Sequence, residues 1–297
     1  MVNIETLTMA EFKSLPLVIE GESKEVRYAG HGMVVIRFKP TIYSFTHNRC
    51  GEVPGSEILR LRASKLFLEV LRQAGVNHAY REVNDRWVLA ELVMPHEVEF
   101  TKYSLPVFIP EDLTQGQIAA LHHAPPVEII VKTFHGGTSE HRYLHMHGSM
   151  VRSSHPLYAG EIIRNKDAYP HSFVRFDWRN PLKNNNGDRI ADEILPDEMA
   201  DWFIDVNRAR QTARDTYRVL EQFLAEHQIV CNDLCLFITE DGSTLYGEIS
   251  QDCGRFRHFD LGSLDKDVWR AGGSAEDVLK KWEMLLEILT TQTGAER

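Results

Sequence analysis

From residue 17 the chain alternates apolar and polar positions through LVIEGESKEVRYAGHGMVVIRFKP, the period-two rhythm of half-buried strands. The glycine-bearing turn in its middle predicts a β-hairpin whose strands flank Gly30 and Gly32. The rhythm then changes. In SEILRLRASKLFLEVLRQAG, Ile58, Leu59, Leu61, Leu66, Leu68, Val70 and Leu71 form one helical stripe, with Ser56 as N-cap and Gly75 as stop. RWVLAELVM is short, apolar and bounded by turn formers, so it predicts a strand leading out of the first unit. Further on, VEIIVKTF is β-branched enough for a buried strand. DEMADWFIDVNRARQTARDTYRVLEQFLAEHQ keeps a 3.6-residue period throughout and predicts the longest helix. CNDLCLFITEDGSTLYGEIS predicts a hairpin about Asp241-Gly242, and SAEDVLKKWEMLLEILTTQ a closing amphipathic helix.

From Pro95 to Pro126 inclusive the chain carries five prolines and no sustained period, which predicts an irregular crossover or insertion. The expected organisation is therefore a β-rich lobe over 1–94, a crossover over 95–126 and an α/β lobe over 127–297. Strands first and a mixture afterwards predict α+β architecture. With 297 residues, 43% hydrophobic and 26% charged, the chain can bury a sizeable core. A net charge of −10 with no Lys/Arg run argues against nucleic acid and for small ligands or protein partners, and leaves a homo-oligomer open. Cys50, Cys231, Cys235 and Cys253 lack metal-type spacing and are too few for a disulfide framework, which suits a reducing compartment. No apolar run approaches the roughly 18 residues of a membrane span, nor does the N-terminus read as a secretory leader. A cytoplasmic location with no membrane partner is expected.

Several segments then fall, in order, on one family pattern. They are EGESKEVR, SEILRLRASKLFLEVLRQAGVNH, VEIIVKTFHGGTS, NDLCLF, EISQDCGRF and SLDKDVWR, spanning roughly residues 18 to 285. Their collinearity resembles the SAICAR synthetase family, ATP-dependent ligases that join an aspartate amine to an imidazole ribonucleotide carboxylate. The resemblance implies a two-lobed α+β fold, with an antiparallel β-rich N-terminal lobe, a mixed α/β C-terminal lobe and the ligand cleft between them.

It also implies roles. Gly21, Lys24 and Glu91 fall where the family binds ATP; a lysine over the phosphates neutralises charge in transfer. VKTFHGGTSEHR resembles the family's turn for the ribonucleotide phosphate, with Lys132, Gly136, Gly137, Thr138, Ser139 and Arg142 on the matching positions. The chemistry suits an anion: paired glycines admit backbone N–H groups, two hydroxyls donate, and a following helix adds its dipole. Glu248, Asp252 and Arg255 match the acidic segment near substrate and metal, with Ser250 between them. Arg255 supplies a planar fork for a phosphate or carboxylate. Asp265, Lys266, Asp267 and Arg270 follow in the family's order, in a segment equally readable as a salt-bridged surface turn.

The departures are specific. Glu22 stands where a second ATP lysine is usual, and Lys132 where arginine is usual. Cys235 and Phe237 replace a lysine and a glutamate, and Gly247 replaces an aspartate. The last two acids hold Mg²⁺ in the family, and Mg²⁺ needs hard oxygen ligands that phenylalanine and glycine lack. Asp233, a catalytic candidate with Glu248, Asp252 and Arg255, or else Glu240 or Glu248, would have to take over the metal. Cys235 is either a nucleophile or a small buried side chain. His135, His141, His145 and His147 cluster closely enough for transition-metal ligation, with His141 and His145 on a predicted helix, although fourteen histidines make some clustering expected.

Three functions remain open. One is an ATP- and Mg²⁺-dependent C–N ligase joining an amino acid such as aspartate to a heterocyclic ribonucleotide or C-nucleoside carboxylate, in specialised nucleoside metabolism. The second keeps the fold for acid/base or cyclisation chemistry without ATP, through Cys235, the histidines and Arg255. The third is a binding subunit without turnover.

Overall fold

The computed structural model describes residues 2–44, 49–96, 108–136, 143–164, 167–179 and 193–291. Fifteen strands lie among them: β1 (Leu17–Glu20), β2 (Lys24–Gly30), β3 (Met33–Phe38), β4 (Thr41–Ser44), β5 (Arg49–Glu52), β6 (Tyr80–Val83), β7 (Val88–Glu91), β8 (Val93–Met94), β9 (His122–His123), β10 (Val127–Phe134), β11 (Ala168–Trp178), β12 (Glu193–Leu195), β13 (Ile229–Leu236), β14 (Gly254–His258) and β15 (Gly262–Ser263). The helices are α1 (Met9–Ser14), α2 (Ser56–Gln73), α3 (Gln115–Ala119), α4 (Asp197–Ala200), α5 (Val206–Glu226), α6 (Asp267–Arg270) and α7 (Ala275–Thr290).

Two antiparallel sheets dominate. The first has the order β1-β2-β3-β7-β6 and the second β12-β11-β10-β13-β14-β15. The expected hairpin is β2–β3, closed at His31-Gly32, both in the left-handed region that a two-residue turn of this kind requires. RWVLAELVM divides instead into β7 and β8, and β7 lies inside the first sheet between β3 and β6. The crossover region contains α3, capped by Thr114, and β9, which pairs in parallel with β8.

Helix α2 joins the two halves because it is apolar on two faces. Leu61 and Leu68 pack with the first sheet, while Leu59, Ala63, Phe67 and Leu71 enter the larger core with α5, α7 and the second sheet. Its N-cap is Gly55 rather than Ser56; the Glu57 carboxylate accepts the Gly55 N–H, and Ser56 is buried in the first turn. Gly75 follows its end at positive φ, as expected.

The long helix expected across 197–228 is interrupted. Asp205 breaks the period by turning out of helical geometry and accepting the Arg208 N–H, so α5 starts afresh at Val206. α5 lays Val206, Ala209, Ala213, Tyr217, Leu220 and Leu224 on one face of the second sheet. The opposed sheet positions are Val127, Ile129, Val131, Leu234 and Leu236, each nearly solvent-free. Asp241-Gly242 does form a turn, with Gly242 at positive φ, but only isolated pairing follows it; the regular partners of β13 are β10 and β14.

Candidate functional site

Alternation along a strand sends every second side chain away from α5. On β10 these are Glu128, Ile130 and Lys132, on β11 Phe173, Arg175 and Asp177, on β13 Asp233 and Cys235, and on β14 Arg255, all in paired register. One face of the second sheet is therefore apolar and the other carries a row of charges.

Two ion-paired nodes organise that face. In the first, Lys132 Nζ lies 2.8 Å from Asp233 Oδ2, and Arg255 Nη1 donates to the same oxygen. Burial opposes ionisation of Asp233, but Arg255 and Lys132 outweigh it and hold the carboxyl well below its usual range. Burial pulls the Lys132 ammonium down, with Asp233 opposing. In the second node, Arg60 forks onto Glu248, Nε to Oε1 at 2.8 Å and Nη2 to Oε2 at 2.6 Å, while Lys24 Nζ stands 2.7 Å from Oε2. Ser250 Oγ donates to Oε1. Arg60 and Glu248 are 0% and 1% exposed, so this is a buried triad tying α2, β2 and the 245–250 segment together. Burial again opposes the Glu248 charge, and Arg60 and Lys24 override it.

The remaining expected residues sort as follows. Asp252 pairs with Lys266 at 3.1 Å. Gly21 closes the β1–β2 turn by donating its N–H to the Lys24 carbonyl. Glu91 pairs with Arg81 on the first sheet. Gly136 lies two residues past the end of β10, and a side-chain carbon there would fall 2.9 Å from the Phe134 ring. Gly137, Thr138, Ser139, Arg142 and His141 lie outside the described residues. Where a helix was expected, Leu144–Met146 form a single 3-10 turn, with His145 and His147 exposed. His135 is buried against Tyr169. Among the described residues no three His, Cys, Asp or Glu side chains are placed to hold a metal ion. A cavity of about 480 Å³ lies on the α5 side of the same sheet end, lined by Thr133, Tyr169, Arg214, Arg218 and Asn232 among others.

Asp265 is the most unusual carboxyl. It is buried, accepts the Phe256 and Asp267 N–H groups, and shares Arg270 with Asp267. Burial and the neighbouring Asp267 charge push it up to about 7. Cys235 is no thiolate: burial, then the Glu128 carboxylate 3.5 Å away, push its pKa well up.

Comparison with solved structures settles the architecture. A phosphoribosylaminoimidazole-succinocarboxamide synthase from Ehrlichia chaffeensis superposes with a TM-score of 0.67 at 14% identity, covering 92% of this chain and 98% of that one. A SAICAR synthetase in complex with ADP gives 0.66 at 18% identity, over 93% and 97% of the two chains. The Saccharomyces cerevisiae enzyme complexed with SAICAR gives 0.66 at 14%, over 97% and 98%. The fold is that of the SAICAR synthetases. No family model matches the sequence. Among curated proteins, the "Bifunctional cordycepin biosynthesis cluster protein 3" of Cordyceps militaris is 25% identical over 92% of this chain. The chain spans 32% of that relative's length.

Within the SAICAR synthetase fold, Mg²⁺ does not fit the positions the resemblance points to. Phe237 and Gly247 face each other, and a side-chain carbon built on Gly247 falls 2.9 Å from Phe237 Cβ and closer still to its ring. An aromatic side chain thus fills the space that an acid at 247 would need, and neither residue offers an oxygen. Glu248 next door already spends both oxygens on Arg60, Lys24 and Ser250. Lys24, partly exposed and 4.8 Å from the Phe38 ring, does suit a phosphate oxygen.

Arg60 and Arg175 were not legible as site residues. Arg60 reads as a polar position on a surface helix, and only the packing of α2 between the sheets turns it inward. For Arg175 a signal exists: SFVRFDWR alternates like a strand.

Proposed function

We propose that this chain is a SAICAR synthetase-like C–N ligase that joins an amino acid such as aspartate to a heterocyclic ribonucleotide or C-nucleoside carboxylate, in a cytoplasmic, nucleoside-directed pathway. The observation that carries it is the paired-cation face between the sheets, Lys24 and Arg60 on Glu248 and Lys132 and Arg255 on Asp233. Each node sets two cations against one carboxylate, and its more accessible cation, Lys24 in one and Arg255 in the other, can share that carboxylate with a ligand oxyanion, so an anionic substrate enters a site already shaped for negative charge. In the ligase reading the substrate carboxylate takes the terminal phosphoryl group of ATP and ADP leaves. The amine then displaces phosphate, forming the amide and losing a proton. Phosphoryl charge falls to protein cations, because Phe237 and Gly247 supply no metal ligand. The nucleoside assignment draws on the likeness to the cordycepin-cluster protein.

The test is a coupled assay with imidazole carboxylate ribonucleotide, aspartate and ATP, run with Mg²⁺ and with EDTA. ADP release matched by amide formation is expected; no ADP release across a panel of nucleotides and amino acids overturns the ligase reading.

The packing of Phe237 against Gly247 favours a second reading, in which the fold serves acid/base or cyclisation chemistry without ATP or binds without turnover. Asp265, titrating near neutrality, is then the proton-exchanging group beside Arg255 and Arg270. This version predicts no ATP binding by calorimetry with or without Mg²⁺. The protonated Cys235 thiol argues against a cysteine nucleophile in either reading.

A further inference from the structure

On the charged face every cation discussed so far meets a carboxylate: Lys24 and Arg60 meet Glu248, Lys132 and Arg255 meet Asp233, and Arg175 meets Asp177. Arg179 does not. It lies one residue past the end of β11, two residues beyond Asp177, with its N–H on the Pro126 carbonyl at 2.8 Å. No carboxylate lies within ion-pair distance of it among the described residues, and it is only half-buried. Its guanidinium stacks on Phe237, Cζ to centroid 4.4 Å, and Nη1 donates to the Tyr246 hydroxyl at 2.9 Å. Phe237 and Tyr246 are themselves 5.8 Å apart, and Phe237 can sit there because residue 247 has no side chain.

This arrangement fixes a cation and, among the described residues, leaves its charge unmatched. Stacking orients the guanidinium plane without consuming its in-plane donors, and the hydroxyl takes only one of five. A neutral partner lends no countercharge. In a chain of net charge −10, an oriented arginine with no carboxylate beside it among the described residues is a ready receptor for a planar or tetrahedral oxyanion. Further along the strand, Arg175 buries Nε and Nη1 with no hydrogen-bond acceptor, so the strip has donors to spare.

We infer that Arg179 is the anchoring cation for an oxyanion of the ligand, a carboxylate or a phosphate, gripping it directly with no divalent cation between them. The inference deepens the ligase reading and rests on it for the identity of the probes. Its chemical content is that the Phe237–Gly247 pair, rather than marking a lost site, builds a seat for a guanidinium where the family resemblance points to a metal.

The experiment is calorimetry on the full chain with three probes, each in EDTA: ADP, imidazole carboxylate ribonucleotide and L-aspartate. At least one is expected to bind the unsubstituted protein, and Arg179→Met to weaken that binding tenfold or more. Arg179→Lys, which keeps charge without the fork, and Phe237→Leu, which keeps the arginine without the stack, are expected to fall between. Thermal melts of the same variants are expected to stay within a few degrees of the unsubstituted protein, which a merely packing arginine would not allow together with lost binding. The probe that responds names the source, aspartate for a carboxylate, ADP or the ribonucleotide for a phosphate. Unchanged binding of every probe by Arg179→Met overturns the inference and leaves the ligase reading standing. So does binding that appears only when Mg²⁺ replaces EDTA. If no probe binds under either condition, both fall.

Discussion

Removing one member of the Arg60–Glu248 pair tests whether the junction between the sheets is held by buried charge. Arg60 is 0% exposed and Glu248 1%, with two hydrogen bonds of 2.8 and 2.6 Å between them. Taking away one partner of such a pair costs about 3–5 kcal/mol, because the other charge is left in a low-dielectric interior. Arg60→Met leaves Glu248 with Lys24 and Ser250, so a loss near the lower figure, about 3 kcal/mol, is expected. Glu248→Gln leaves two cations facing each other and is expected to cost at least as much. At about 2–4 °C per kcal/mol, each melting midpoint falls by roughly 6–12 °C. The double variant Arg60→Met with Glu248→Met removes both charges and lets Lys24 turn to water; it is expected to be more stable than the sum of the single losses implies. The folded-state pKa of Glu248 lies below its unfolded value, so the stabilisation it brings is complete above about pH 4.3 and disappears as pH falls toward the folded value. Urea unfolding between pH 7 and 3 is expected to show a midpoint falling on acidification. The slope in Glu248→Gln is expected to be shallower but not flat, since Asp233 acts with the same sign. Single variants that each cost under about 1 kcal/mol, or a double variant worse than their sum, refute the reasoning.

Three more outcomes are expected. Native protein treated with iodoacetamide at pH 8 is labelled once, at exposed Cys50, because burial holds the Cys231, Cys235 and Cys253 thiols protonated, Cys253 up to about 12; mass spectrometry of the intact chain checks this, and rapid labelling of Cys235 revives it as a nucleophile. Asp265 keeps its proton in the folded state to about pH 7, so it costs stability as pH rises from about 4 to 7; Asp265→Asn is expected to flatten that part of the profile, and Asp267→Asn to move the titration, followed by carboxyl NMR, downward. Gly247→Ala drives a methyl into Phe237 and is expected to cost about 1–3 kcal/mol in urea unfolding, with Phe237→Leu restoring part of it.

The sequence by itself determined many of the local elements and their order, because period and turn chemistry are properties of neighbouring residues. The β2–β3 hairpin, α2 with its glycine stop, the β10 strand and the α7 helix all follow from residues close in the chain. The family pattern, though spread over short segments, reached the SAICAR synthetase fold that the superpositions then showed. Where a local period continued but a competing cap intervened, as at Asp205, the pattern overran the true end of an element. Tertiary structure alone decided the site. Glu248 meets Arg60 across 188 positions of sequence and Lys132 meets Asp233 across 101, and no local rule brings such residues together. Only the packing of α2 between the sheets makes Arg60 an inward charge. Only the absence of a side chain at Gly247 admits the Phe237 ring, and with it the seat of Arg179. Charge partners and excluded volume are set by distance in space, so the chain's own order carries the scaffold and the fold selects which of its charged groups meet.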